Sequence, residues 1–224
     1  MQLRKSAWFW VLLLCAPAVT AAVKPHSVVL GAVRHQPYSV EGDPAGAQKD
    51  ETHLDVRPLI VDGKVKEWTT GESHMVTERS FTVRRAVRLN DSLPSDKTEH
   101  WVWQRGPWLL VDRSTGKVTA LHLPEFDSGV SQVVWFRDYA AYCGLSATHK
   151  ELLAVVAQIA GRRPLLRKKL GAWNEAAPVS PACAAPVWQR EPLEVSFAVT
   201  GATAPVSFTL TRASAVLVED DSQE

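Results

Sequence analysis

Apolar residues recur with a period of two over most of this chain, and turn-forming residues break that alternation at short intervals. "LDVRPLIVDGKVKEW" (54–68) sets Asp62-Gly63 between two alternating segments, the strongest short-range sign of a hairpin. "SFTVRRAVRLN" (80–90) alternates through Phe81 and Val83, slips at Arg84-Arg85, and resumes at Val87 and Leu89. A strict alternation would bury an arginine, so the slip predicts a bulge. "HWVWQRGPWLLVDRSTGKVTALHL" (100–123) reads as three runs, divided by Arg105-Gly106-Pro107 and by Asp112–Gly116. "VSQVVWF" and "YAAYCGL" leave only Arg137-Asp138 between them, which predicts a hairpin corner rather than a salt-bridged reactive pair.

One stretch reads both ways. "THKELLAVVAQIAG" (148–161) has a helix-start pattern in Thr148 and Glu151, with Gly161 placed to end a helix. Against this, residues 154–157 would leave a short helix apolar nearly all round, and "RRPLLRKKL" (162–170) follows across a turn. "VVWFRDYAAYCGLSATHKELLAVVAQ" resembles one blade of a β-propeller, and "LLVDRSTGKVTAL" (109–121) is similar to the outer hairpin of such a blade. A closed propeller needs at least four blades, and the 135–158 pattern does not recur. The resemblance therefore implies only that 148–161 is a strand.

After Gly171 the period disappears. Residues 172–192 are rich in Ala and Pro and read as an extended spacer. "LEVSFAV" and "PVSFTLT" then predict a C-terminal hairpin within 193–218, "SAVLV" a further strand, and 219–224 a solvated acidic tail. The expected fold is all-β, a mostly antiparallel sandwich or strongly curved sheet. It has a core over 23–171, a Pro/Ala-rich crossover and the C-terminal hairpin packing on that core.

The first 22 residues have the layout of a secretory leader. Arg4-Lys5 precede the apolar stretch 7–15, and small residues around 19–22 suit cleavage. Loss of Arg4 and Lys5 leaves 23 of 25 basic residues against 24 acidic ones, so net charge gives no bias toward nucleic acid. No later apolar run is long enough to span a bilayer as a helix. The expected location is periplasmic or extracellular. Cys15 leaves with the leader, and in an oxidising compartment the remaining pair, Cys143 and Cys183, is expected to form a disulfide.

Local catalytic motifs are absent. The chain has no G-x-S-x-G elbow, phosphate-binding glycine loop, dinucleotide fingerprint or H-E-x-x-H, and its seven histidines are scattered. No cofactor, metal site or catalytic residue is expected. Trp101 and Trp103, two apart on a strand, project from one face. They are expected to be mainly core, and otherwise, with Trp135, to form an aromatic binding surface. The basic runs 162–170 and 82–89 are expected to guard edge strands. The functional expectation is an exported, non-catalytic binding or envelope-associated module whose partner is an envelope glycan or protein. The alternative is a small glycan hydrolase using two carboxylates from among Glu125, Asp127, Asp55, Glu67 and Asp138.

Overall fold

The computed structural model describes residues 26–39, 52–159, 161–174 and 182–211; the leader-like first 22 residues, residues 175–181 of the Ala/Pro-rich stretch, "SAVLV" and the acidic tail lie outside them. The described residues form fourteen strands in antiparallel sheets and no helix. None of the sheets closes into a barrel.

The larger sheet is built from β1 (Val28–Leu30), β2 (Arg34–Pro37), β3 (His53–Val61), β4 (Lys64–Met75), β5 (Ser80–Asn90), β6 (Trp101–Asp112) and β7 (Lys117–Ala120). Its order is β1-β3-β4-β5-β6-β7, with β2 also paired to β3. Asp62 and Gly63 turn β3 into β4 with φ of 52° and 76°. Positive φ at both positions matches the right-handed twist of a hairpin, and Asp-Gly adopts it at little cost. The Asp62 carboxylate also accepts from His26 Nδ1 at 2.7 Å and from the Ser27 amide at 3.0 Å, tying down the start of β1.

The slip at Arg84-Arg85 is a bulge, but its extra residues lie on the partner strand. Arg84 pairs with Trp108 and Ala86 with Arg105, so Gly106-Pro107 stand opposite Arg85 alone. The break expected at Arg105-Gly106-Pro107 is therefore not a turn: β6 runs unbroken from Trp101 to Asp112. A bulge tolerates proline because the displaced residue makes no ladder bond. The bulge does not spare the arginine either. Arg84 is 5% exposed, with Nε 3.3 Å from the Gly106 carbonyl and Nη1 4.0 Å from Glu72.

Register shifts interrupt β3/β4, β4/β5 and β5/β6 in turn. Bulges add local twist, and the sheet curls until Tyr38 bridges Trp103 and the Ser39 amide donates to the Trp103 carbonyl at 3.1 Å. Tyr38, Leu54, Val56 and Ala86 are buried inside this curl, against Trp68 and Trp103.

At the β6–β7 turn, burial pushes the Asp112 carboxyl upward. Hydrogen bonds from the backbone and side chains of Ser114 and Thr115 outweigh it and hold the group below its usual value. A carboxylate lowered in the folded state adds stability at neutral pH that is lost as pH falls through its native pKa. Asp112→Asn should therefore be less stable than wild type at neutral pH in urea unfolding. The difference should shrink as the pH is taken below the carboxylate range; a constant difference would contradict this role.

The second layer is β8 (Val134–Phe136), β9 (Tyr139–Leu145), β10 (Glu151–Gln158) and β11 (Leu166–Ala172), in the order β11-β10-β9-β8. The two-way stretch is a strand, β10. Its all-round apolarity follows from burial of both faces. Leu152, Ala154 and Val156 pack with β9 against the C-terminal strands, while Leu153, Val155 and Ala157 pack against Phe126, Val133 and Trp135. Arg137-Asp138 is the β8–β9 corner, with φ of 53° at Arg137. Asp138 does more than turn the chain. It is buried, and its Oδ2 accepts from Gln158 Nε2 at 2.8 Å at the end of β10. Gly144 has no room for a Cβ, because the Glu125 carbonyl lies against it and accepts from the Leu145 amide at 2.9 Å.

A third layer comprises β12 (Val187–Gln189), β13 (Glu194–Phe197) and β14 (Val206–Thr209). The C-terminal hairpin is thus joined by a third strand that arises within the Ala/Pro-rich stretch. Cys183 is bonded to Cys143 across a sequence separation of 40 and bridges Val199. The Ala182 amide donates to the Val130 carbonyl at 2.9 Å, and Thr200 to Ala182 at 2.8 Å. Val195 and Phe197 are fully buried on the face of the second sheet that carries Cys143. The expected disulfide is present, and it anchors the crossover.

Candidate binding groove

The β4–β5 ladder stops short. Thr69 pairs with Arg85, but Trp68, Glu67 and the residues before them have no partner on β5 beyond that point. The strands part there, and a groove of about 730 Å³ occupies the gap. β2 supplies Arg34, Gln36 and Pro37 to its lining, β4 supplies Glu67 and Trp68, β5 supplies Arg85 to Arg88, and β6 supplies Trp101 and Trp103.

Alternation on β6 places both indoles on the groove side, as the two-residue spacing requires. The expectation that both are core is corrected for Trp101, which is 39% exposed; Trp103 is half-buried. The reason is that the curled sheet leaves its mouth open at this end, where β4 and β5 have separated. Trp103 meets Trp68 edge-to-face at 5.7 Å and 66°, so these two rings brace each other. Trp101 Nε1 donates to Glu99 at 2.9 Å, and the Arg88 guanidinium lies 4.5 Å from its ring centre. Arg34 lies over Trp68 at 5.1 Å. Arg85 Nε donates to Glu67 at 2.9 Å. The groove thus combines flat apolar faces with cations held against them.

Trp135 does not line this groove. It stacks on His74 at 5.9 Å and 13° and meets Trp108 edge-to-face at 5.2 Å, where the two large sheets adjoin. His74 Nε2 lies 2.7 Å from the Arg137 carbonyl in the same seam. Trp68 completes the groove and was missed in the sequence. Its position in an alternating strand marks one face, but nothing local marks that face as open.

The carboxylates named above do not assemble into a pair. Glu125 has φ of 60°, so "LPEFDSG" is not extended and the two acids do not align along it. Glu125 forms a forked pair with Arg167 at 2.7–2.9 Å, and Asp127 accepts from the Gly129 amide at 2.7 Å. Asp55 meets His35 at 2.6 Å, and Asp138 is sealed under the hairpin. Among the described residues lining the groove, Glu67 is the one carboxylate. Tyr142 is pushed above its usual range by burial, then by the charge of Glu125, and donates to the Pro124 carbonyl at 2.7 Å, which suits a structural role.

No family model, curated protein or solved structure matches this chain. The site is therefore judged on its geometry. Among the described residues, no three His, Cys, Asp or Glu side chains gather as a metal shell requires. No helix among them is long and apolar enough to cross a membrane. The basic run at 162–170 lies on and before β11, an edge strand, where Lys169 Nζ meets Glu151 at 2.8 Å and Arg167 meets Glu125. That placement is how cationic side chains guard an edge against pairing.

Proposed function

We propose that this chain is an exported, non-catalytic binding module that takes an envelope ligand in the Trp68–Trp101–Trp103 groove. The observation that carries the reading is the exposed Trp101 ring beside braced Trp68 and Trp103, in a gap left by a terminated ladder. The 39% of Trp101 that stays in water adds nothing to folding, whereas a ligand that covers it gains apolar contact. Export is supported by the leader-like first 22 residues together with the Cys143–Cys183 disulfide, a bond that persists in oxidising compartments. N-terminal sequencing of the secreted protein should begin at Ala22 or Val23.

The hydrolase alternative has less support. A two-carboxylate mechanism requires a second acid within about 10 Å of the first, and Glu67 stands in the groove with an arginine on it. The test of the binding reading is calorimetric titration of a panel of envelope glycans into wild type and Trp101→Ala. The variant should melt like wild type, since the side chain is exposed, and should bind about tenfold more weakly. Unchanged affinity in Trp101→Ala would remove the groove from consideration. Turnover of any glycan in the panel would restore the hydrolase.

A further inference from the structure

Charge in the groove is unbalanced. Three arginines face one carboxylate, and that carboxylate is already held by Arg85 at 2.9 Å. Arg34 and Arg88 are exposed, and among the described residues neither has a carboxylate partner. Each lies over an indole, at 5.1 Å from Trp68 and 4.5 Å from Trp101. A guanidinium resting on a ring keeps its N–H edge available, and that planar edge matches a carboxylate in a two-pronged hydrogen bond. The two cations stand on different strands, β2 and β5, so they offer two separate anchor points along one groove.

From this juxtaposition we infer that the ligand is an acidic glycan, a chain of sugar rings bearing carboxylates. The inference rests on the binding reading above and names the ligand class for the same groove. Pyranose rings present flat C–H faces that stack on indoles, and uronate-type carboxylates recur along the chain to meet Arg34 and Arg88. An acidic peptide would satisfy the arginines, but its carboxylates sit on flexible side chains with no ring to lie against the exposed Trp101 indole. Electrostatic attraction of this kind also weakens with salt, because the groove opens to solvent.

The test titrates a short oligogalacturonate, its methyl ester and a polyglutamate of similar length into the mature, oxidised protein. The free acid should bind, and the ester, which keeps the rings and loses the charge, should bind at least tenfold more weakly. Rising salt should weaken the acid and leave the ester unaffected. Arg34→Gln and Arg88→Gln should each weaken the acid about tenfold without changing the melting temperature. Equal binding of acid and ester, with Trp101→Ala still harmful, would overturn the acidic class and leave the groove standing. Tighter binding of polyglutamate would make the occupant a peptide and overturn the glycan. Failure of the free acid to bind would overturn the inference outright.

Discussion

The Cys143→Ala/Cys183→Ala double variant is expected to lose about 4 kcal/mol of unfolding free energy, the loop-closure value for a separation of 40 residues. For a chain of this size that corresponds to a fall of roughly 10 °C in melting temperature. The bond has this leverage because of where it lies. Cys143 is at the centre of β9 in a face with no exposure, and Cys183 leads the crossover into the third layer. Ser131 Oγ clamps the Cys143 backbone from both sides, accepting from its amide at 2.8 Å and donating to its carbonyl at 2.9 Å. Without the bond, residues 182–184 are held by backbone pairing alone, the Ala182 amide on the Val130 carbonyl and the Ala184 amide on the Ala198 carbonyl. Scanning calorimetry of wild type and the double variant checks this; equal melting temperatures would mean that the layers hold without the crossover anchor.

Phe197→Ala should be comparably costly, at about 3–5 kcal/mol. Phe197 is fully buried between the second and third layers, meets Phe208 edge-to-face at 6.0 Å, and belongs to the cluster that contains both cysteines. Emptying that site leaves a cavity lined from both sheets, and β-sheets pinned by ladders relax little to fill it. Urea unfolding followed by tryptophan fluorescence should show one transition moved to lower denaturant. A wild-type midpoint would show the three C-terminal strands to be an appendage, not part of the cooperative core.

The effect expected at Trp103 is smaller than a wholly buried indole would give. The ring is half-buried and braced by Trp68, so truncation removes one wall of a groove as well as part of a core. Binding and stability fall together there. For that reason Trp101, not Trp103, separates the two.

Local chemistry determined much of this fold. Asp62-Gly63 and Arg137-Asp138 were legible as corners because a tight turn is decided by the φ its own residues can adopt. The disulfide was legible because, outside the leader-like first 22 residues, the chain has two cysteines and they have only each other. The strand at β10 was legible only in part. A helix-start pattern and a doubly buried strand look alike until it is known that both faces are covered, here by the C-terminal strands and by residues 123–135. Gly106-Pro107 misled because the punctuation that makes a turn also makes a bulge, and the choice belongs to the neighbouring strand. The groove depended wholly on the tertiary structure. Alternation put Trp101 and Trp103 on one face, but which face stays open is set by the ladder ending at Thr69–Arg85 and by the curl that brings Tyr38 to Trp103. Period-two patterning records only that a face differs from its opposite. What covers that face, and where the cover stops, comes from residues far away in the chain.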